Sequence, residues 1–156
     1  MIDSGYLQAQ MILWLSRHGD TKTMAALLRP GAIADQGVRD GIICALGMMG
    51  DASRIPRLVE VLTTDTQSYF RALAAEALGD LGAVEAKPAL DRALTDGFAI
   101  QVQEGVGVGP RDPGVVYPVR EKAAEALRVL SSEPAMVEAQ QRREAFAKAV
   151  SPPPAE

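Results

Sequence analysis

His18 and Cys44 are the only histidine and the only cysteine of the chain. A zinc site asks for three or four ligands, which one imidazole and one thiol do not supply. A Cys–His nucleophile pair needs the two groups within hydrogen-bond reach. These two stand in different sequence repeats at inequivalent positions. His18 precedes Gly19 near a helix end, where an imidazolium faces the negative pole of the helix dipole. Cys44 lies in an apolar helical run and reads as a small buried residue. Glu121 and Glu125 are spaced i, i+4 and share a helix face. Lys122 and Arg128 beside them mark that face as solvated rather than as an acid/base pair. The glycines of EGVGVGP, at 105, 107 and 109, suggest a phosphate cradle. Such a loop needs a strand before it and a helix directly after it. Here Pro110, Asp112-Pro113 and Gly114 come next, without a Lys-Ser/Thr pair. We therefore expect no catalytic, metal-ligating or cofactor-binding residue, and no cofactor.

Arg39, Arg71 and Arg120 recur at one repeat position and would make either a ligand-binding row or a structural ladder. Each begins a helix one residue after an apolar anchor. Asp65 and Asp96, at the ends of second helices, are partners at hand. The ladder is the expected reading. Exposed pairs of this kind contribute only about 0–1 kcal/mol each, so their value is in fixing repeat register.

The bulk properties narrow the function classes. A chain of 156 residues is one domain's worth. One cysteine excludes a disulfide framework. Sixteen Lys and Arg against twenty Asp and Glu leave a net charge of −4, which disfavours nucleic acid or an anionic membrane as partner. One Trp, three Tyr and three Phe are too few for a base-stacking platform. Apolar runs are broken by charge or glycine well short of the ~18 residues of a membrane span. The N-terminus lacks a basic region before its apolar part. The expected location is cytoplasmic, and the expected state is a monomer or weak homodimer.

An internal repeat positions these residues. VRDGIICALGMMG (38–50) and FRALAAEALGDLG (70–82) superimpose on a shift of 32. That shift pairs Arg39 with Arg71, Ala45 with Ala77, Leu46 with Leu78, Gly47 with Gly79 and Gly50 with Gly82. It carries on to Pro56 with Pro88, Leu58 with Leu90 and Leu62 with Leu94. VREKAAEALRVL repeats the pattern from 119 on a shift of 49, after an insertion of 17 residues. A fainter copy opens the chain. It places Leu7, Met11 and Leu15 on Val38, Ile42 and Leu46.

Each unit reads as two helices. Val38, Ile42, Ala45, Leu46 and Met49 fall on one helical face, as do Phe70, Ala74, Ala77, Leu78 and Leu81. Glycine stops the first helix. Asp51, directly after its glycine, is expected at the N-cap of the second helix. Pro56 and Pro88 fit the first turn of that helix. In the last unit Met136, Val137, Ala139, Phe146 and Val150 supply the apolar stripe. Ala45, Ala74, Ala77, Ala123 and Ala126 let neighbouring units approach closely. A two-helix unit cannot bury its apolar face alone, so units must stack.

The pattern V-R-x-x-A-A-x-A-L-G-x-L-G-D, continued by a P-x-L helix, resembles the HEAT-like repeats of phycobilin-lyase (E-Z) type. FRALAAEALGDLG with AKPALDRAL, and VREKAAEALRVL, carry the likeness. It weakens at Gly41-Ile42-Ile43-Cys44, where alanines are usual. The resemblance implies an all-α, right-handed α-solenoid of four helix pairs with one loop or hairpin insertion. It implies a scaffold or adaptor binding another protein, or, as the alternative, a bilin lyase-like protein handling a tetrapyrrole. The His-Glu pairs of iron-dependent HEAT hydroxylases are absent. The acidic balance argues against the DNA chemistry of related glycosylases.

The expected layout is a repeat domain over 1–150, with units at about 5–30, 36–64, 67–96 and 117–149. The insertion covers 98–114, and 151–156 forms a proline-rich tail or linker. Ile100-Gln101-Val102-Gln103 and Val115-Val116-Tyr117 are expected to pair as a short hairpin. Candidate partner contacts, chosen for predicted exposure on the second helices and the insertion, are Arg54, Arg57, Lys87, Asp91, Arg92, Phe98, Val102, Val106, Val108 and Arg111.

Overall fold

The structure is a computed structural model that describes residues 10, 13–18, 22, 26, 29, 34–101 and 115–150. Residues 13–18 are helical. Beyond them come the helices α1 (Gln36–Met49), α2 (Ile55–Thr64), α3 (Ser68–Asp80), α4 (Lys87–Ala93), α5 (Pro118–Leu130) and α6 (Glu133–Val150). Between α4 and α5 lie two short strands, β1 (Ile100–Gln101) and β2 (Val115–Val116). The chain is an all-α solenoid.

The turns inside the α1–α2 and α3–α4 pairs are written in glycine. Gly50 closes α1 at φ 113°, with its N–H donating to Gly47 O and the Asp51 N–H to Leu46 O. The next unit repeats the motif: Gly82 at φ 59° donates to Gly79 O, and Ala83 to Leu78 O. Paired bonds of this kind satisfy the last carbonyls of a helix and require a left-handed residue. A single turn of 3₁₀ helix then leads into each second helix, at Ala52–Arg54 and at Val84–Ala86. The Asp51 carboxylate accepts from Ser53 N–H at the first of these turns, so it caps the 3₁₀ turn and not α2 itself. Ala83 stands in the equivalent place and offers no such cap. Pro56 and Pro88 sit in the first turns of α2 and α4, where a missing N–H costs little.

Helix α3 packs against α1, α2 and α5, and α4 packs against α2 and α5. Leu46, Leu58, Leu78, Leu90 and Val119 are fully buried between these layers. The alanines expected at close approaches (Ala45, Ala74, Ala77, Ala123, Ala126) are buried. Gly79 permits a close crossing of α3 and α5: a Cβ there would stand 2.9 Å from both Cα and Cβ of Ala126. Val38 departs from expectation and stays exposed, because Phe70 packs over its neighbour Gly37 instead.

The last helix also departs from expectation. It does not extend the layer of second helices formed by α2 and α4. Its main packing partners are α5 and α1. Ala139 and Met136 lie against Gly82, and Arg142 and Phe146 lie against Gly50. It therefore runs back across the turns of the two preceding units. Ala139 and Phe146 are buried, but Val137 and Val150, expected in the stripe, are exposed. The repeat positions supply a reason. Ile55, Val59 and Leu62 on α2 are apolar and at least half-buried. Their equivalents on α4 are Lys87, Asp91 and Leu94, all exposed. The outward stripe of α4 is thus charged where a stacking partner would need apolar surface.

The insertion begins and ends in a hairpin base, with Ile100 opposite Val116 and Gln101 opposite Val115 in antiparallel register, as the alternation suggested. Among the described residues no helix is long and apolar enough to cross a membrane.

Candidate interaction surface

Two of the recurring arginines tie successive units together. Arg71 opens α3 and forks onto Asp96, with Nε and Nη2 donating to its two carboxylate oxygens at 2.8 and 3.0 Å. Its Nη1 donates to the backbone carbonyl of Asp65, at the end of α2, at 2.9 Å. Arg120 opens α5 and repeats that second contact one unit on, donating to the Asp96 carbonyl at 2.6 Å. It also stands 4.1 Å from the Tyr117 ring centroid, a cation–π distance. The hydrogen bonds from Arg71 hold the Asp96 carboxyl below its ordinary range. Arg71 and Arg120 are rungs of a structural ladder. Of the two acids expected as partners, Asp96 uses its side chain and Asp65 its backbone.

Above the ladder a groove of about 430 Å³ runs between the C-terminal halves of α2 and α4. Leu62, Ala89 and Ala93 form its apolar part, and Thr63, Arg92 and Thr95 its polar rim. Most of its charge is already satisfied. Arg71 and Asp96 hold each other, and the Asp65 carboxylate accepts from the Gln67 N–H at 2.8 Å. Among the described residues Arg92 is the groove-lining cation without an ion-pair partner.

The candidate contact residues separate into three groups. Lys87, Asp91, Arg92 and Phe98 are exposed, with Lys87 and Asp91 paired i, i+4 at 2.8 Å. Arg54 and Arg57 are not the free surface expected of them. Arg54 pairs with Asp51 at 2.9 Å. Arg57 forks onto buried Asp40 at 2.8 and 3.0 Å and reaches Glu60 at 2.6 Å. For Arg57 the reason is that α2 packs beside α1, whose Asp40 needs a cation once it is taken from water, and for Arg54 it is the local i, i+3 partner at the preceding turn. Val102, Val106, Val108 and Arg111 lie outside the described residues. Sequence reasoning missed Asp40, which sits among the apolar positions of α1 and carries no local sign of its partner 17 residues on.

Among the described residues the other titratable groups form no reactive arrangement. Cys44 is fully buried, and burial pushes its thiol far up. The His18 ring stacks on Trp14 at 4.9 Å and its Nδ1–H donates to the Trp14 carbonyl at 3.1 Å. Glu121 and Glu125 are solvent-exposed. Asp80 ends α3 facing Glu76, Lys122, Glu125 and Arg142. Burial, helped by the two glutamates, raises its carboxyl to about 6. Among the described residues no group of three His, Cys, Asp or Glu could hold a metal ion.

The sequence matches the family model for HEAT repeats twice, over residues 3–79 and 34–106. The two matches together span more than half of the chain. No curated protein matches it.

Proposed function

The chain belongs to the HEAT-repeat family, and from that premise we propose that it is a non-enzymatic scaffold that binds another protein. HEAT repeats commonly mediate such contacts, because a stacked array offers an extended surface built by a rigid frame. The observation that carries the reading is the α2–α4 groove. It is large enough for a few side chains of a partner, and exposed Arg92 lines it. The insertion at 98–114 adds exposed Phe98, and exposed Ile100 is close by in the chain. The alternative, a bilin lyase-like protein of the phycobilin-lyase repeat type, asks for a cleft with aromatic walls. The groove lining has no aromatic ring, so the scaffold reading has the better support.

The test is capture from a lysate of the source organism. It uses the intact chain, an Arg92→Glu variant, and a variant with 98–114 replaced by a short Gly-Ser turn, all first matched for helicity. A partner held by the intact chain and lost in either variant supports the scaffold and locates its contact. Capture of nothing by the intact chain, together with a coloured adduct on incubation with a bilin, would overturn it in favour of the alternative.

A further inference from the structure

The last helix is joined to the stack in an unusual way. Helix α6 has 18 residues, and only Ala139 and Phe146 are buried. Helix α3 has 13 residues, and eight are buried. The contacts that α6 does make are specific. Arg142 Nη1 donates to the carbonyl of Asp80, and Arg143 Nε donates to that of Leu81 at 2.6 Å. These carbonyls end α3, where orphan acceptors and the helix dipole favour a cation. Phe146 lies over Gly50, where a Cβ would come within 2.5 Å of the Arg142 carbonyl. Beside it runs an open groove of about 410 Å³, between Gly50–Ser53 and the outer half of α6. The link back to α5 is only Ser131-Ser132.

A helix with two buried side chains among 18 residues, at one end of the stack, has low contact density. Such elements open at a lower free energy than the core. The seat beneath it keeps its own chemistry when vacated: two helix-end carbonyls for guanidinium groups and a hollow beside Gly50 that admits a ring.

We propose that α6 is a displaceable strap. It occupies in cis a seat that a partner helix can take in trans, if that helix carries two adjacent arginines and an aromatic residue three positions after them. This surface lies at the turn end of the helix pairs and does not depend on the α2–α4 groove.

The experiment is hydrogen exchange on the full chain, comparing amides of 138–146 with those of 70–79. The expected result is exchange at least tenfold faster in 138–146. Arg142→Ala/Arg143→Ala speeds it at least tenfold further and leaves 70–79 unchanged. A fluorescein-labelled peptide of residues 133–150 then binds the double variant at least tenfold more tightly than the native chain, whose own strap competes at high effective concentration. Equal protection of the two segments in the native chain overturns the proposal, and that reading needs no variant. Equal acceleration of both segments overturns it too, as does a peptide that binds neither form.

Discussion

Arg71 and Asp96 are 25 residues apart in sequence and meet in a two-bond fork at 2.8 and 3.0 Å. The same aspartate gives its backbone carbonyl to Arg120 of the following unit. One residue at the end of α4 therefore fixes the starts of both α3 and α5. Planar guanidinium on carboxylate adds direction as well as energy, which a lysine would not.

Replacing Asp96 by Ala should cost about 1 kcal/mol in urea unfolding, because the pair is mostly shielded but not fully dry. The Asp96 carboxyl is lowered in the folded state. Its contribution is thus present above the unfolded carboxylate pKa and lost as pH falls through the lowered one. An Asp96→Ala variant that loses nothing at pH 7 would show that the ladder does not stabilise the stack.

Arg57→Ala should be costlier. It leaves the Asp40 carboxylate, 3% exposed, with Gln36 as its remaining side-chain partner. A loss of about 2–3 kcal/mol is expected. Asp40→Asn added to Arg57→Ala should recover part of it, since the stranded charge is removed. A double variant no better than the single would place the cost elsewhere.

Asp80 should act in the opposite sense to Asp96. Its folded carboxyl is raised to about 6 from 3.8. The folded state therefore holds the proton more tightly, and stability falls as pH rises from about 4 through 6. Asp80→Asn should stabilise the chain at pH 7.5 by about 1 kcal/mol and little at pH 4. Melting curves at the two pH values decide it. A pH-independent effect would mean that folding does not shift the Asp80 carboxyl.

Ala77→Arg should abolish the cooperative fold. Ala77 is fully buried near Gly47 between α1 and α3. A long cation there meets neither space nor a partner, at a cost of more than about 3 kcal/mol. A soluble variant with unchanged melting would refute the packing described for that interface.

The repeat made most of the frame legible in advance. Glycine spacing located the turns at Gly50 and Gly82, and alternation located the hairpin base at Ile100 and Val116. Three features were hidden. Asp40 has no neighbour in sequence that marks it for burial, because its partner lies in the next helix. Val38 matched Phe70 by alignment, but the contact goes to Gly37, and alignment cannot see side-chain direction. The course of α6 was hidden because its few apolar residues fit a helix stripe wherever it docks. The decisive groups are Arg142 and Arg143, whose residue type carries no sign of the helix-end carbonyls they reach. The candidate surface was partly legible. Arg92, Lys87 and Asp91 could be picked for exposure, whereas Arg54 and Arg57 could not be separated from them without knowing which helix α2 packs beside.

The charged stripe on α4 bears on how such an array can grow. Ile55, Val59 and Leu62 offer a neighbour an oily face, so a further 32-residue unit copied in directly after Asp65 would find a matching surface. The same copy placed after Asp96 would meet Lys87 and Asp91. Lengthening by duplication is thus open in the middle of the chain and closed at this end until those two charges are exchanged for apolar residues.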